Sequence, residues 1–188
     1  MQQSSLFCGV DPGFSGALCA LSVDGRFARV WHMPVKHQNF RSLDLVGLTE
    51  IVSEIAALPV VKVGLENPTT RPGEGAERCF RFGRGIGNIE MAFEMASIPY
   101  VLIAPNLWKG RLGIPGKIDD PLSHEATRYF DGHFPQHSRL IRGSRGGIQD
   151  GVLDAFLICS FLIQEYILPV GHKGGPHSPK FKGLLPSE

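Results

Sequence analysis

The sequence predicts an α/β fold, built on a mixed five-stranded sheet with helices on its faces. Its first part contains three apolar segments joined by tight-turn sequences, at residues 5–12, 16–23 and 26–33. Apolar runs separated by Pro-Gly and Asp-Gly are typical of an antiparallel meander. Two later apolar runs alternate with segments of helical periodicity, which indicates parallel strands joined by helical crossovers.

The rest of the chain supplies those strands and helices. Residues 34–41 are polar and predict a loop, after which Ser42 is expected to cap a helix that runs to residue 56. The further predicted elements are strands over 60–66 and 99–104, helices over 77–97, 121–131 and 148–168, a loop with a helical turn over 105–120, and loops over 67–76 and 132–147. This order of elements, β-β-β-α-β-α-β-α, is that of the ribonuclease H-like fold.

The composition is that of one globular domain. The chain has 188 residues, 43% of them apolar, and a formal net charge of +1, so any basic surface for nucleic acid must be local. Four scattered cysteines without a C-x-x-C pair indicate core thiols in a reducing compartment. No signal peptide or bilayer-spanning run is recognisable. We expect a domain over residues 1–170 and a disordered, basic tail over residues 171–188.

Four acidic residues are predicted to meet at one edge of the sheet. Asp11 ends the first strand and Glu66 ends the fourth, and these two strands lie side by side in the predicted fold. Asp150 and Asp154 are spaced i, i+4 on the last helix, so they share a helical face that packs across the same edge. Carboxylates gathered in this way repel each other unless cations neutralise them, and oxygen ligands suit Mg²⁺ or Mn²⁺. The sequence therefore predicts a two-metal site for phosphodiester hydrolysis, with Asp11 bridging the ions.

Each acid also has a simpler interpretation. Asp11 precedes Pro-Gly and fits a turn residue, and Glu66 fits a surface acid at a strand end. Asp150 fits the first turn of a helix, where the helix dipole favours an acid. Asp154 lies inside an apolar helix and is the hardest to explain without a ligand.

Three motifs resemble those of the RuvC-type Holliday junction resolvases. They are GVDPGFSGAL at 9–18, GLEN at 64–67 and QDGVLDAFLI at 149–158, and the likeness extends over residues 7–165. It is nearest to the branch that includes phage and chloroplast resolvases, which Trp108-Lys109 followed by Gly116-Lys117 also resembles. The resemblance implies a homodimeric, Mg²⁺- or Mn²⁺-dependent endonuclease. Such an enzyme would cut opposed strands of a four-way DNA junction in recombination and repair.

The resemblance also implies roles for individual residues. Asp11, Glu66, Asp150 and Asp154 would be the catalytic metal ligands, and Lys109 the basic residue near the scissile phosphate. The last two acids are spaced by four here, whereas RuvC itself spaces them by three, so Asp150 is the least well matched. The implied location is the cytoplasm of a bacterium or a phage-infected cell, on the nucleoid and without a membrane partner.

Basic residues in three regions are the expected DNA contacts. Arginines with an adjacent aromatic suit phosphates and a base or sugar face. The glycines within residues 71–88, the first of these regions, would let a phosphate backbone approach the chain closely, although tight helix packing or a dimer contact would explain them equally. The expected contacts are Arg71, Arg81, Arg84, Trp108, Lys109, Arg111, Lys117, Arg142 and Arg145.

Other functions remain open at this level. A related nuclease acting on RNA:DNA hybrids or other branched DNA would need the same acids. A non-catalytic DNA-binding protein of the same fold would not need all four of them. An actin-like nucleotide-binding protein also has an Asp-x-Gly turn between strands, but it needs two such halves, and only one is present.

Overall fold

The central feature is a five-stranded mixed sheet with strand order β3-β2-β1-β6-β7. The computed structural model describes residues 4–37, 41–68, 73–114 and 122–167. The strands are β1 (Leu6–Val10), β2 (Ala17–Ser22), β3 (Ala28–His32), β4 (Val35–His37), β5 (Arg41–Leu43), β6 (Val60–Glu66) and β7 (Tyr100–Ile103). The first three pair as an antiparallel meander, and β6 pairs in parallel with both β1 and β7. The predicted sheet is thereby confirmed.

In the described part of the chain, five helices cover the two faces of this sheet. They are α1 (Leu45–Ala56), α2 (Ala76–Met95), α3 (Pro105–Arg111), α4 (Leu122–His133) and α5 (Asp150–Ile167), with a short 3-10 helix at Pro135–His137. Helices α1 and α2 pack on one face, and α3, α4 and α5 pack on the other. Because the central strands lie between two helical layers, every residue of β1 and β2 is buried. Within the described residues, no helix has the length and apolarity needed to cross a membrane.

Two local predictions were wrong, and a third, the helical turn within 105–120, was confirmed in part. The segment predicted as a loop over 34–41 includes β4 and the start of β5, which form a separate two-stranded hairpin. Ser42 lies in β5 and does not cap α1, whose cap is Asp44, with a side chain that accepts the backbone N–H of Val46 at 3.2 Å. The loop predicted over 105–120 begins with α3, seven residues long and started by a proline that suits a first helical turn.

Helix α5 lies unusually close to β1. A Cβ atom placed on Gly9 would come within 2.0 Å of the Ala155 carbonyl oxygen and 2.9 Å of the Cys159 nitrogen, so only glycine fits there. The predicted core thiols Cys8, Cys19 and Cys159 are buried, with Cys19 and Cys159 on the α5 face of the sheet and Cys8 on the α1 and α2 face. Burial raises the pKa of the Cys8 thiol to about 12, so this thiol is neutral at physiological pH. The close contact fixes the position of the first turns of α5 over the end of β1.

Some predictions concern residues outside the described ranges. The predicted disordered tail over 171–188 is among them, as are Arg71 and Lys117.

Candidate active site

Asp11 and Glu66 lie next to each other at one edge of the sheet. Strands β1 and β6 are parallel, with Val10 opposite Leu65, and each acid is the next residue along its strand. The predicted adjacency of the two strand ends is confirmed. Asp11 Oδ1 also accepts the backbone N–H of Gly13 at 2.9 Å, so this acid does stabilise the turn that follows it. Its other oxygen, Oδ2, points toward α5.

The first turn of α5 closes over Asp11. A Cβ atom on Gly151 would lie 2.4 Å from the Ser15 carbonyl oxygen and 2.8 Å from Asp11 Oδ2, so a side chain at this position would displace the acid. One turn further along, Asp154 is the only residue between positions 151 and 162 that is not fully buried. The helix therefore directs Asp154 toward the same edge, as its place in an apolar helix predicted.

Trp108 is a buried hydrogen-bond donor to Glu66. Its indole Nε1 lies 3.0 Å from Glu66 Oε1, and the residue is 0% exposed. The prediction that Trp108 contacts DNA was therefore wrong, because a ring enclosed by the core cannot stack on a base. Sequence reasoning missed its actual role, since a Trp beside a Lys on a short helix gives no sign of pointing inward. The bond fixes one oxygen of Glu66 and leaves Oε2 available.

Lys109 is the basic residue at the acidic edge. Its Nζ lies 3.8 Å from Asp154 Oδ2 and 4.8 Å from the centre of the Trp108 ring. The ammonium group is thus held between a carboxylate and the face of an aromatic ring, which attracts cations. Burial raises the pKa of Asp11, of Glu66 and of Asp154, and the charge of Lys109 offsets part of that rise. The role of Lys109 near a scissile phosphate stays a prediction.

Burial and mutual repulsion destabilise the charged forms of the three inner acids. Burial raises the pKa of Asp11 and of Glu66, and the neighbouring Asp11 charge raises the pKa of Glu66 further. The pKa of Asp154 rises to about 7, chiefly because of burial and also because Glu66, Asp11 and Asp150 lie near it. Asp150 itself is exposed at the start of α5. An arrangement that raises several carboxylate pKa values together is typical of a functional site.

The donor chemistry fits a hard divalent cation, although the side chains do not enclose one. Across the described ranges, no three Asp, Glu, His or Cys side chains are arranged so that they could hold a metal ion as they stand. The available donors are nevertheless carboxylate oxygens, the ligands that Mg²⁺ and Mn²⁺ prefer. A cation would also relieve the repulsion that raises these pKa values. Glu66 is bonded to Trp108 and Asp154 to Lys109 in the present arrangement.

The predicted DNA contacts have different surroundings. Arg84 and Arg145 are exposed, and Arg81 forms a 3.5 Å ion pair with Glu77 one helical turn away. Arg111 Nε lies 2.7 Å from Glu165 Oε1. Exposed pairs of this kind contribute little to stability, so these arginines can exchange partners at small cost.

Arg142, in the loop before α5, is half-buried and forms an ion pair with Asp131 of α4. Its Nη2 lies 2.6 Å from Asp131 Oδ2, and its Nη1 also contacts Ser138. Arg142 and Ile148 also form an isolated antiparallel β-bridge, two residues before α5 begins. The expected contact of Arg142 with DNA stays a prediction, and in the present arrangement its guanidinium holds the loop before α5 against α4.

Replacing Asp131 tests this structural role. The Arg142 guanidinium lowers the pKa of Asp131, so the pair stabilises the fold above the unfolded-state pKa, and the stabilisation is lost as pH falls through the lower folded-state pKa. We expect Asp131→Asn to lower the free energy of unfolding by about 1 kcal/mol at neutral pH and by almost nothing near pH 2. Urea unfolding at both pH values measures the difference, with the exposed Glu50→Gln as control. A loss of equal size at both pH values would contradict this role.

The sheet order and the flanking helices are those of the ribonuclease H-like fold. No protein-family model and no curated protein matches the sequence. Solved structures similar to the chain include two of Thermus thermophilus RuvC. The complex with a Holliday junction substrate has a TM-score of 0.56 and 14% identity, over 86% of this chain and 94% of that one. The other RuvC structure has a TM-score of 0.55 and 17% identity, over 85% and 95%.

The likeness to RuvC shows the fold alone. Identities of 14% and 17% do not distinguish one branch of resolvases from another, so the resemblance to the phage and chloroplast branch stays a prediction. The mixed sheet with flanking helices matches the ribonuclease H-like fold of RuvC, which confirms the predicted fold class.

Proposed function

We propose that this protein is a metal-dependent endonuclease that resolves four-way DNA junctions. The observation that carries the proposal is the group of carboxylates at one sheet edge, with Glu66 buried, Asp11 and Asp154 half-buried, and Lys109 beside them. The RuvC-like fold supports it, and one of the similar RuvC structures contains a Holliday junction substrate. The motifs around these acids support the same class of reaction.

The proposed reaction is hydrolysis of a phosphodiester bond. Asp11, Glu66, Asp154 and the more exposed Asp150 would hold two Mg²⁺ or Mn²⁺ ions. These ions would activate a water molecule and stabilise the leaving oxygen. Lys109 would contact a non-bridging oxygen of the scissile phosphate and stabilise its charge in the transition state. Lys109 would exchange its present carboxylate partner for the phosphate when the acids bind metal.

A resolvase must make two symmetric cuts, so we propose a homodimer that presents one site to each of two opposed strands. Arg81, Arg84, Arg111 and Arg145 are the proposed phosphate contacts among the described residues, together with Arg71 and Lys117 outside them. These contacts would orient the junction without reading its sequence.

Substrate preference tests the proposed function. We expect a synthetic four-way junction to be cut symmetrically in opposed strands, and a plain duplex of the same arm sequence to be cut far more slowly. Gel analysis with each strand labelled in turn measures both rates. Equal cutting of junction and duplex would indicate a general nuclease. Preferential cutting of an RNA:DNA hybrid or a flap would indicate the related nuclease class.

We further propose that Trp108 positions Glu66 for metal binding. Trp108→Phe keeps a buried ring but removes the N–H that holds Glu66 Oε1. Loss of such a partner of a metal ligand typically costs about tenfold to a hundredfold in metal affinity or activity. We therefore expect Mn²⁺ affinity, measured by calorimetry, and junction cleavage to fall by this factor in Trp108→Phe.

The chain offers a matched control for that substitution. Trp31 also donates its indole N–H to a carboxylate, Glu54 Oε2 at 2.8 Å, on the α1 side of the sheet. Trp31→Phe therefore removes the same kind of bond outside the proposed site, and we expect unchanged Mn²⁺ affinity and cleavage. Equal Mn²⁺ affinity in Trp108→Phe and the unmodified protein would contradict the positioning role.

A further inference from the structure

A groove on the α2 side of the acidic edge has the chemistry of a phosphate site. It lies between the β4–β5 hairpin, the turn after Asp11 and the first half of α2, and its volume is about 340 Å³. It is lined by Phe14, Arg41, Ser42, Leu43, Leu45, Arg81, Arg84, Gly85 and Asn88. Three of these residues are arginines and none is acidic.

Arg41 connects the hairpin to the turn that carries Asp11. Its Nη2 donates to the Phe14 carbonyl oxygen at 3.1 Å, and its guanidinium carbon lies 5.7 Å from the centre of the Phe14 ring. Phe14 is three positions after Asp11, so the groove begins within about 10 Å of that acid along the chain. Through this contact the hairpin is attached to the turn that follows Asp11.

The donors in the groove suit the backbone of a nucleic acid. A guanidinium group can donate two parallel hydrogen bonds to a phosphate, and Ser42 and Asn88 add neutral donors. Arg84 forms no ion pair within the described residues, and the partner of Arg81, Glu77, has an 82% exposed side chain. Both guanidiniums can therefore turn to a phosphate at little cost. The Phe14 ring offers an apolar face for a sugar or base.

The groove and Lys109 lie on opposite sides of the acidic edge. Helix α2 packs on one face of the sheet, and Trp108, which precedes Lys109, packs on the other. A nucleic-acid strand that crosses the acidic edge would thus place phosphates in the groove while another of its phosphates lies at Asp11. We propose that the β4–β5 hairpin and α2 form a binding groove for the phosphates that flank the cleavage position, with Arg41 and Arg84 as its main ligands. This proposal rests on the proposed nuclease function, because it takes nucleic acid as the ligand.

Binding in metal-free buffer tests the groove separately from cleavage. We expect Arg41→Ala and Arg84→Ala each to weaken binding of a fluorescent four-way junction roughly three- to tenfold. Each should also lower the slope of log affinity against log salt by about 1. Arg41→Lys keeps the positive charge but loses the paired donors of the guanidinium, so its junction affinity should lie between those of the unmodified protein and Arg41→Ala. Anisotropy titrations at several salt concentrations measure these values.

Arg26→Ala is the charge-matched control. Arg26 is an exposed arginine in the turn between β2 and β3, at the opposite edge of the sheet, and its only ion pair in the described part of the chain is a 3.9 Å contact with Asp24. We expect this variant to bind with unchanged affinity and salt slope. Affinities and slopes of Arg41→Ala and Arg84→Ala equal to those of Arg26→Ala would overturn the groove proposal.

The outcomes distinguish the groove from the nuclease function and from a nucleotide site. If the unmodified protein cuts junctions while the groove variants bind like Arg26→Ala, the groove proposal is contradicted and the proposed nuclease function is supported. If the unmodified protein does not cut junctions but the groove variants bind them more weakly, the groove proposal is supported and the proposed nuclease function is contradicted. ATP and inorganic pyrophosphate are added as competitors. Displacement of the junction by ATP, lost in Arg84→Ala, would overturn the proposal in favour of a free-nucleotide site.

Discussion

Asp11→Asn is expected to reduce Mg²⁺-dependent junction cleavage by about three orders of magnitude or more. The amide keeps the oxygen that accepts the Gly13 N–H, so the turn is retained. What disappears is the negative charge, and with it the proposed bridging ligand of the two ions. Junction binding should persist or strengthen slightly, because the site has lost one charge that repels phosphate. Cleavage rates and binding affinities of the purified variant measure the two effects.

Asp24 provides a close control for Asp11. It also begins a tight turn, and its Oδ1 accepts the backbone N–H of Arg26, two residues along, at 3.1 Å. It lies in the turn between β2 and β3, at the edge opposite the acids. If Asp11 were only a turn residue, Asp11→Asn and Asp24→Asn would have the same small effect. Undiminished cleavage by Asp11→Asn would therefore reject the metal-site interpretation.

Lys109→Met is expected to reduce the cleavage rate about a hundredfold to a thousandfold while changing junction affinity much less. Methionine keeps most of the apolar stem over Trp108 but removes the charge that lies 3.8 Å from Asp154. The rate falls because the proposed charge stabilisation acts in the transition state rather than in the bound substrate. Single-turnover cleavage at saturating protein separates the rate from the affinity.

A lysine elsewhere on the sheet controls for loss of positive charge in general. Lys62 lies on β6 opposite Phe7, toward the far end of the strand from Glu66. Lys62→Met should therefore cleave at the unmodified rate. If Lys109→Met lost affinity in proportion to its rate, Lys109 would be a binding residue and its proposed role in the transition state would be wrong.

The sheet could be predicted because its signal is local. Strand β6 ends at Glu66 as expected, and the apolar runs on either side of Asp11 form β1 and β2. Buried strands covered on both faces produce continuous apolar runs with turn residues at their ends. The adjacency of Asp11 and Glu66 followed from the order of elements alone, since parallel strands that pair bring their carboxyl ends to one edge.

The hairpin could not be predicted in the same way. Strands β4 and β5 have three residues each and no apolar alternation, and they pair only with each other. Ser42 was the predicted cap of α1, but β5 pairs through Leu43 and takes Ser42 into a strand, so the helix is capped by Asp44. The contact of Arg41 with Phe14 joins residues 27 positions apart, and no sequence pattern indicates it.

The identities of the site residues were easier to predict than their surroundings. Asp154 was singled out because an acid in an apolar helix needs a partner, and it faces the predicted edge with Lys109 beside it. The inward orientation of Trp108 depends on packing of α3 against α4 and α5, which sequence spacing does not encode. The side-chain arrangement of the acids depends in the same way on tertiary contacts, such as the approach of Gly151 to Asp11.

The central claim is that these acids form a metal-dependent junction nuclease. The most direct measurement is cleavage of a synthetic four-way junction by the unmodified protein, with Mg²⁺ or Mn²⁺ and with a chelator. The account predicts paired, ligatable nicks in two opposed strands when either ion is present, and no cleavage with the chelator. Failure to cut the junction with both ions, or undiminished cutting with the chelator, would contradict it.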